Sequence, residues 1–453
     1  MISIIFVLFI VLILLSISIL AFKNFLLTPQ FGIFFGFLVS LAGCMMVAAE
    51  WELSLSTVTI AVLCIGLGIV MIVSLLFQNI FRLRHRLYRI SSNISNVGNN
   101  YISVKKRRIM FWMVMQFVIL GFVMMFLMQQ TKALTLSSAI NTYRRQLLIT
   151  NDAELMPLYI RLPRSICIYS GYIFTYLLAH SLIYKYSSKM RIFYFINMIL
   201  PCVNTLIVGG SRCGIVQYII AFITIWFVLY TFKEHKMIST KQVIYGAGIL
   251  IVLVFSFGTV QSFLGRGAVK DVRDYLYMYL SGSIYNLNYY IDHFPIQWDP
   301  NNYTLINFYN FCFRLTGNSD YNYTSYLAAL YLKANGHSTG NVYTMFASYY
   351  HDGKMIGVMI YSALMAYIGQ LMMYLSMKTY KNNEINIPLV LYGYIYFDFT
   401  QSFFANRFYG QFFTDTFFKM IIFLIILKCF FTRNVFRIRL VLKRSSCMKQ
   451  DIV

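Results

Sequence analysis

The residue best suited to chemistry in this sequence is an arginine between two long apolar stretches. Arg212 lies in "VGGSRCGIVQ" (208–217), with the apolar residues 192–210 before it and 213–232 after it. A guanidinium is planar, stays charged at neutral pH and binds two oxygen atoms of an anion at once. The pattern therefore predicts either that Arg212 binds a phosphate or carboxylate at the membrane surface, or that it anchors the seam at lipid headgroups.

Other arginines share this predicted location. Arg407 lies in a second tight seam, "FFANRFYGQFF" (403–413), and Arg266 and Arg273 lie in a long segment on the same side. Each has the alternative role of an interfacial anchor. Asp398 lies within an apolar stretch and has no local partner, so we expect it to pair with Arg407 or another arginine.

Candidate bases and sugar-binding residues occur together in "NGHSTGNVYTMFASYYHDGKMIG" (335–357). An imidazole or carboxylate can take a proton from a sugar hydroxyl, and aromatic rings can stack on sugars. The alternatives are ordinary loop residues and interface packing. The candidate bases are His337, His351 and Asp352, and the candidate sugar contacts are Tyr343, Tyr349 and Tyr350.

The sequence contains no metal-binding pattern. The acids Asp271 and Asp274 are three residues apart, no DxD pair occurs, and the cysteines and histidines lack zinc-site spacing. We therefore predict chemistry without a metal or cofactor, in which arginines stabilise the negative charge.

The elements that position these residues are membrane spans. The chain is 59% hydrophobic and 12% charged, and a bilayer core needs about 20 apolar residues per helix. This predicts an all-α polytopic integral membrane protein with about eleven transmembrane helices. The predicted spans are 2–22, 30–49, 57–79, 109–130, 165–184, 192–210, 213–232, 242–262, 353–377, 386–405 and 410–431.

The basic residues set the orientation and the partners. Residues 80–108 carry eight lysines and arginines and no acid, so this loop is predicted to be cytoplasmic. Alternation then places the N-terminus outside and the C-terminus inside. The net charge is +23. The basic residues lie between spans, so this charge does not indicate nucleic-acid binding. Despite the positive-inside bias, nine arginines fall outside: Arg144, Arg145, Arg161, Arg164, Arg212, Arg266, Arg273, Arg314 and Arg407.

The spans divide the chain into four parts. Residues 1–262 hold eight spans and the outer loop 131–164, 263–352 form a large folded outer loop, 353–431 hold three spans, and 432–453 are a basic cytoplasmic tail. A loop as long as 263–352 is predicted to fold. Within it, we predict one or two tyrosine-rich helices over 271–294 and short helices at 307–315 and 323–336.

Two stretches resemble the Wzy-type O-antigen and capsule repeat-unit polymerases, and more distantly the O-antigen ligases. They are "VGGSRCGIVQYIIAFI" and "STGNVYTMFASYYHDGKMIGVMI". The resemblance implies a GT-C-like, inverting, metal-independent transferase of the bacterial inner membrane. It would join undecaprenyl-diphosphate-linked oligosaccharides, with Arg212, Arg266, Arg273 and Arg407 on the diphosphate and a chain-length regulator as a further partner.

Two alternatives stay open from the sequence. An O-antigen ligase would transfer finished glycan to lipid A core, and the sequence hardly separates it from a polymerase. A flippase for the lipid-linked unit belongs to a different class, and the long outer loop argues against it. A general transporter is disfavoured because the chain shows no repeat symmetry.

Overall fold

The computed structural model describes residues 1–22, 27–81, 101–147, 156–209, 213–234, 272–293, 303–317 and 331–432. The long apolar runs form helices, because a helix satisfies its own backbone hydrogen bonds inside a membrane. In chain order the helices are α1 (Ile2–Ala21), α2 (Pro29–Val47), α3 (Thr57–Phe81), α4 (Lys106–Thr131), α5 (Leu136–Arg145), α6 (Leu158–Ile183), α7 (Ser188–Gly209), α8 (Cys213–Glu234), α9 (Val272–Leu280), α10 (Gly282–His293), α11 (Ile306–Leu315), α12 (Met345–Lys378), α13 (Ile387–Thr400), α14 (Arg407–Gln411) and α15 (Asp415–Thr432).

Within the described residues, eight helices are long and apolar enough to cross a membrane: α1, α2, α3, α4, α6, α7, α8 and α12. Two further predicted spans correspond to the shorter α13 and to α15, which carries three charged residues. The predicted span 242–262 lies outside the described residues. The prediction of a polytopic α-helical membrane protein is confirmed, whereas the number eleven and the GT-C-like arrangement stay predictions.

The segments predicted to be cytoplasmic meet at one end of the bundle. Gln78 donates to the carbonyl of Ala21, and the Lys105 amide donates to the carbonyl of Phe431. The second contact joins the start of α4 to the end of α15. We call this the inner end.

The segments predicted to be outside meet at the opposite end, which we call the outer end. The Leu55 amide donates to Ser3 Oγ, and the Ser56 amide donates to Asn288 Oδ1. The alternation of the described spans is therefore consistent with the predicted topology. Which end faces the cytoplasm rests on the positive-inside pattern and stays a prediction.

The described parts of the predicted outer loop form a folded cap. The tyrosine-rich segment forms α9 and α10, separated at Ser281, as predicted. Ser281 lies against α2, where a Cβ on Gly43 would come within 2.7 Å of Ser281 Oγ. Ser40 Oγ also donates to the carbonyl of Leu280. The cap is thus seated on the outer half of a span.

A small hairpin corrects the predicted helix over 323–336 in its described part, residues 331–336; residues 323–330 lie outside the described residues. Strands β1 (Leu332–Ala334) and β2 (His337–Gly340) pair antiparallel. Asn335 and Gly336 have φ angles of 46° and 86°, the left-handed pair that a two-residue hairpin turn requires. Asn286 of α10 donates to the carbonyls of Thr339, Gly340 and Val342 and fixes the hairpin to the cap.

Helix α12 is bent where the cap meets the membrane. Gly353 and Lys354 have non-helical angles, and Lys354 has φ 50°. A Cβ on Gly357 would come within 2.2 Å of the Tyr349 carbonyl oxygen, so the two segments pack tightly at the bend. The short segment 345–352 therefore belongs with the cap and carries His351 and Asp352.

Candidate outer-end site

His351 is held by two tyrosines of the cap, in what we call the buried cluster (Tyr290, Tyr303, His351 and Asp352). Its Nδ1 lies 2.5 Å from Tyr290 Oη, and its ring stacks on Tyr303 at 4.0 Å with an interplanar angle of 5°. Burial raises the pKa of Tyr290, which therefore stays a protonated phenol. Its hydrogen bond with Nδ1 runs in either direction according to the imidazole tautomer. The imidazole is fixed in both position and plane.

Asp352 anchors the segment that carries Tyr303. One of its oxygens accepts from the Tyr303 amide and the other from the Thr304 amide, each at 2.8 Å. Burial raises the pKa of this half-buried carboxyl group, and the two backbone hydrogen bonds oppose that shift because they favour its ionised form. Asp352 thus holds the stacking partner of His351 in place, a positioning role beside the predicted role as a base.

The segment that begins with Tyr303 and Thr304, the partners of Asp352, contacts the Arg407 seam (403–413). Asn406 Nδ2 donates to the carbonyl of Thr304 at 3.2 Å, and Asn307 Nδ2 donates to the carbonyl of Gly410 at 2.8 Å. Side-chain amides on both sides therefore clamp residues 303–307 between the buried cluster and the seam. This connection was not evident from sequence.

Arg407 has an incomplete set of partners. Its Nη2 donates weakly to Cys213 Sγ at 3.7 Å, its guanidinium lies 5.9 Å from the Phe404 ring, and its buried Nε has no partner among the described residues. No described carboxylate forms a salt bridge with it. A guanidinium with spare donors at the outer end is suited to bind an anion.

Asp398 lies near Arg407, as predicted, but does not pair with it. It is fully buried, and neither carboxylate oxygen accepts a hydrogen bond from the described residues. Arg407 is the cation that interacts with it electrostatically. A buried carboxyl group without a hydrogen-bond partner is costly, and because it does not bond to Arg407 it leaves the donors of that guanidinium unoccupied.

A cavity of about 340 Å³ opens beside the seam. Arg314 and Asp415 line it and form a salt bridge at 3.9 Å, and Asp415 also pairs with Lys419 at 3.0 Å. Its remaining lining is polar and uncharged or aromatic: Asn307, Tyr394, Gly410, Gln411, Thr414 and Thr416. A cavity of this size and polarity suits part of a sugar.

Two predicted site residues lie elsewhere, on what we call the rim (Glu50, Arg273, Asp274 and His337). Arg273 forms a salt bridge with Glu50 at 2.5 Å, and His337 Nδ1 lies 3.1 Å from Asp274 Oδ2. All four side chains are exposed to solvent by a third or more. Because Arg273 already pairs with Glu50, Arg273 is less suited to bind a diphosphate.

The three predicted sugar contacts differ in how deeply they are buried. Tyr349 is fully buried between Tyr361 and Tyr409, and Tyr343 is buried edge-on against Tyr290. Core packing accounts for both, which corrects their assignment to sugar contact. Tyr350 is half-buried and keeps that assignment as a prediction.

Arg212 and Arg266 lie outside the described residues, so their assignment to an anion stays a prediction. Arg164, by contrast, was counted among the outer arginines but not selected. Its Nε donates to Asn204 Oδ1 at 3.0 Å. The sequence feature that could have identified Arg164 is its position directly after Pro163 at the start of a span. The same position also suits an arginine that anchors the helix at lipid headgroups.

Comparison with protein-family models, with curated proteins and with solved structures found no match. The chemistry of the outer end is therefore the basis for inferring a function.

Proposed function

We propose that this protein is a glycosyltransferase that polymerises undecaprenyl-diphosphate-linked oligosaccharide units at the outer face of the bacterial inner membrane. The observation that carries the proposal is Arg407, a guanidinium at the outer end with spare donors and no salt bridge to a described residue. The site lies between apolar spans, where a polyprenyl tail can remain in the membrane while its diphosphate reaches the arginine.

The charge on Arg407 fits the leaving group of this reaction. The acceptor hydroxyl attacks the anomeric carbon of the donor, the new C–O bond forms as the bond to the diphosphate breaks, and the configuration inverts. The carrier diphosphate leaves with the electron pair and gains negative charge. A preorganised guanidinium stabilises that charge in the transition state, and Arg212 and Arg266 are predicted co-ligands.

His351 is the base that we favour in this proposal. Tyr290 and Tyr303 fix its ring, and in the tautomer whose Nδ1–H donates to Tyr290, Nε2 is unprotonated and is the nitrogen that takes the proton of the acceptor hydroxyl. His337, oriented by Asp274, is the more exposed alternative. In this proposal the cap limits the access of water to the donor, which water would otherwise hydrolyse.

The partners in this proposal are lipid-linked oligosaccharides, membrane lipid and a chain-length regulator. The proposal needs no metal or cofactor. A ligase and a flippase remain the competing functions, and they differ from a polymerase in the product that a deletion strain retains.

The deciding experiment deletes the gene in its native host and resolves the surface glycolipid on a gel. A polymerase deletion leaves a glycolipid bearing one unit, and the wild-type gene restores the ladder. Arg407→Ala, at a normal protein level, is expected not to restore it, whereas Arg161→Ala, an exposed outer arginine, serves as the control. Loss of every glycan-bearing band would instead indicate a ligase or flippase.

A further inference from the structure

Arg314 of α11 is the cation among the residues that line the cavity beside the seam. Its Nε donates to the carbonyl of Asn310 at 3.1 Å, which fixes the plane of the guanidinium. Its Nη2 lies 3.9 Å from Asp415 Oδ1, too far for a hydrogen bond. Among the described residues, no hydrogen bond therefore occupies either Nη group. The side chain is 60% exposed, so a ligand in the cavity can reach it.

Asp415 forms this long salt bridge with Arg314 but has a closer cationic partner. Its Oδ2 accepts from Lys419 Nζ at 3.0 Å, and its Oδ1 accepts from Thr416 Oγ1 at 3.4 Å. Lys419 and Arg314 carry two positive charges against the one negative charge of Asp415. This side of the cavity therefore has an excess of positive charge, which favours an anionic group in the ligand.

The uncharged lining offers both an acceptor and a donor. Asn307 Nδ2 donates to the carbonyl of Gly410 at 2.8 Å, and Gln411 Oε1 accepts from Gln217 Nε2 at 3.2 Å. Among the described residues, these bonds leave the side-chain oxygen of Asn307 and the amide nitrogen of Gln411 for a ligand. A sugar hydroxyl both donates and accepts, so it can bond to either group.

The size and the charge of the cavity together indicate the class of its ligand. A volume of about 340 Å³ lies at the lower end of the range for small-molecule pockets. The fork of a guanidinium binds the two oxygens of a carboxylate in parallel, and the neutral side chains suit hydroxyls. A uronic acid, which is a sugar whose terminal carbinol is oxidised to a carboxylate, carries both kinds of group.

We propose that this cavity binds a sugar that carries a carboxylate, with Arg314 on the carboxylate and the neutral lining on the hydroxyls. The inference rests on the proposed function and deepens it by naming an acidic sugar as a component of the oligosaccharide unit. The location suits this role, because Gly410 and Gln411 belong to the same short helix as Arg407. Asn307 ends the segment 303–307, which contacts the buried cluster.

The experiment compares methyl glucuronide with methyl glucoside, which differ in the carboxylate that the cavity is proposed to recognise. Each is titrated into the purified full-length protein in phosphatidylcholine nanodiscs, and binding is measured by saturation-transfer NMR. We expect the wild type to bind the glucuronide about tenfold more tightly, the effect of one charge-assisted contact. Equal binding of the two sugars, or binding of neither, would overturn the inference.

Two variants should move this preference in opposite directions. Arg314→Gln removes the charge and the fork and should reduce the preference to within about twofold. Asp415→Asn removes the carboxylate that competes for Arg314 and should strengthen glucuronide binding by about threefold or more. Binding of the uncharged glucoside should stay within about twofold in both variants. Misfolding cannot produce opposite changes that are confined to the charged sugar.

Arg161 offers a matched control, because it is an exposed arginine on α6 and does not line the cavity. Arg161→Gln should leave the preference unchanged, and a loss equal to that of Arg314→Gln would assign the preference to the general outer charge. If Arg314→Gln fails to fold, Asp415→Asn decides the question. Glucuronide binding that is unchanged or weaker in Asp415→Asn would contradict the proposal.

Two further arms separate this inference from its alternatives. Acetate that displaces the glucuronide at equal concentration would show a site for carboxylates in general and would overturn the assignment to a sugar. Carboxylate preference through Arg314 in a protein whose deletion leaves the glycan ladder intact would refute the polymerase but keep the sugar site. A ladder lost on deletion, without any carboxylate preference, would keep the polymerase and overturn this inference.

Discussion

The rim and the buried cluster with its seam both carry an imidazole, a carboxylate and an arginine, yet they differ in how those groups are paired. On the rim, Arg273 meets Glu50 and His337 meets Asp274, all exposed to solvent. In the interior, Arg407 keeps spare donors and His351 is stacked and hydrogen bonded. An outer location alone therefore does not make an arginine or histidine a site residue. Pairing and burial separate the two regions.

The largest expected difference concerns the two histidines. His351→Gln should lower the polymerisation rate by about 100-fold or more, because a positioned base contributes roughly 10²–10⁴. His337→Gln should change it by about threefold or less. Initial rates with purified protein and lipid-linked units measure both. The reverse order would move the base to the rim.

The two arginines should differ next. Arg407→Ala should reduce polymerisation by about 100-fold or more through lost stabilisation of the leaving diphosphate, and Arg407→Lys should restore only part of it. Arg273→Ala serves as the comparison and should keep at least half of the activity. Similar losses in both variants would show that general outer charge, not a specific contact, drives the reaction.

The two acids should differ in stability. Asp352→Asn replaces an acceptor oxygen with an amide that cannot accept from a backbone N–H, so we expect the free energy of unfolding to fall by about 1–3 kcal/mol. Asp274→Asn removes only an exposed contact. Denaturant unfolding in detergent compares them, and equal effects would remove the anchoring role assigned to Asp352.

The smallest effect is expected from the rim salt bridge. Glu50→Gln should change the free energy of unfolding by less than about 1 kcal/mol, since an exposed ion pair gains little and is screened by salt. The same unfolding assay at low and high salt tests this. A larger loss that salt abolishes would mean that the pair holds the cap on α2.

The spans were predictable because an apolar run long enough to cross a bilayer has few alternatives. The hairpin was missed, although Asn335–Gly336 is a turn signal, because the apolar residues before it are equally compatible with a short helix. The bend at Gly353 and Lys354 coincides with the predicted start of a span at 353, but the helical segment 345–352 before it was not predicted.

The candidate site was predictable only in part. Arg407 was found because its seam is short and its residue type unusual there. Tyr349 was misassigned because a tyrosine-rich segment does not reveal which face points inward. Arg164 was not selected because its contact is with Asn204, forty residues further along the chain. Sequence alone does not bring these two residues together.

The contact between Lys105 and Phe431 has a consequence for biogenesis. Helix α15 is the last described span to be synthesised, yet it packs against α4 and α6, which enter the membrane much earlier. Those two helices must wait in the bilayer with their α15-facing surfaces against lipid. The described bundle can close only after α15 has been synthesised and inserted, so a truncation that removes α15 leaves α4 and α6 without this partner.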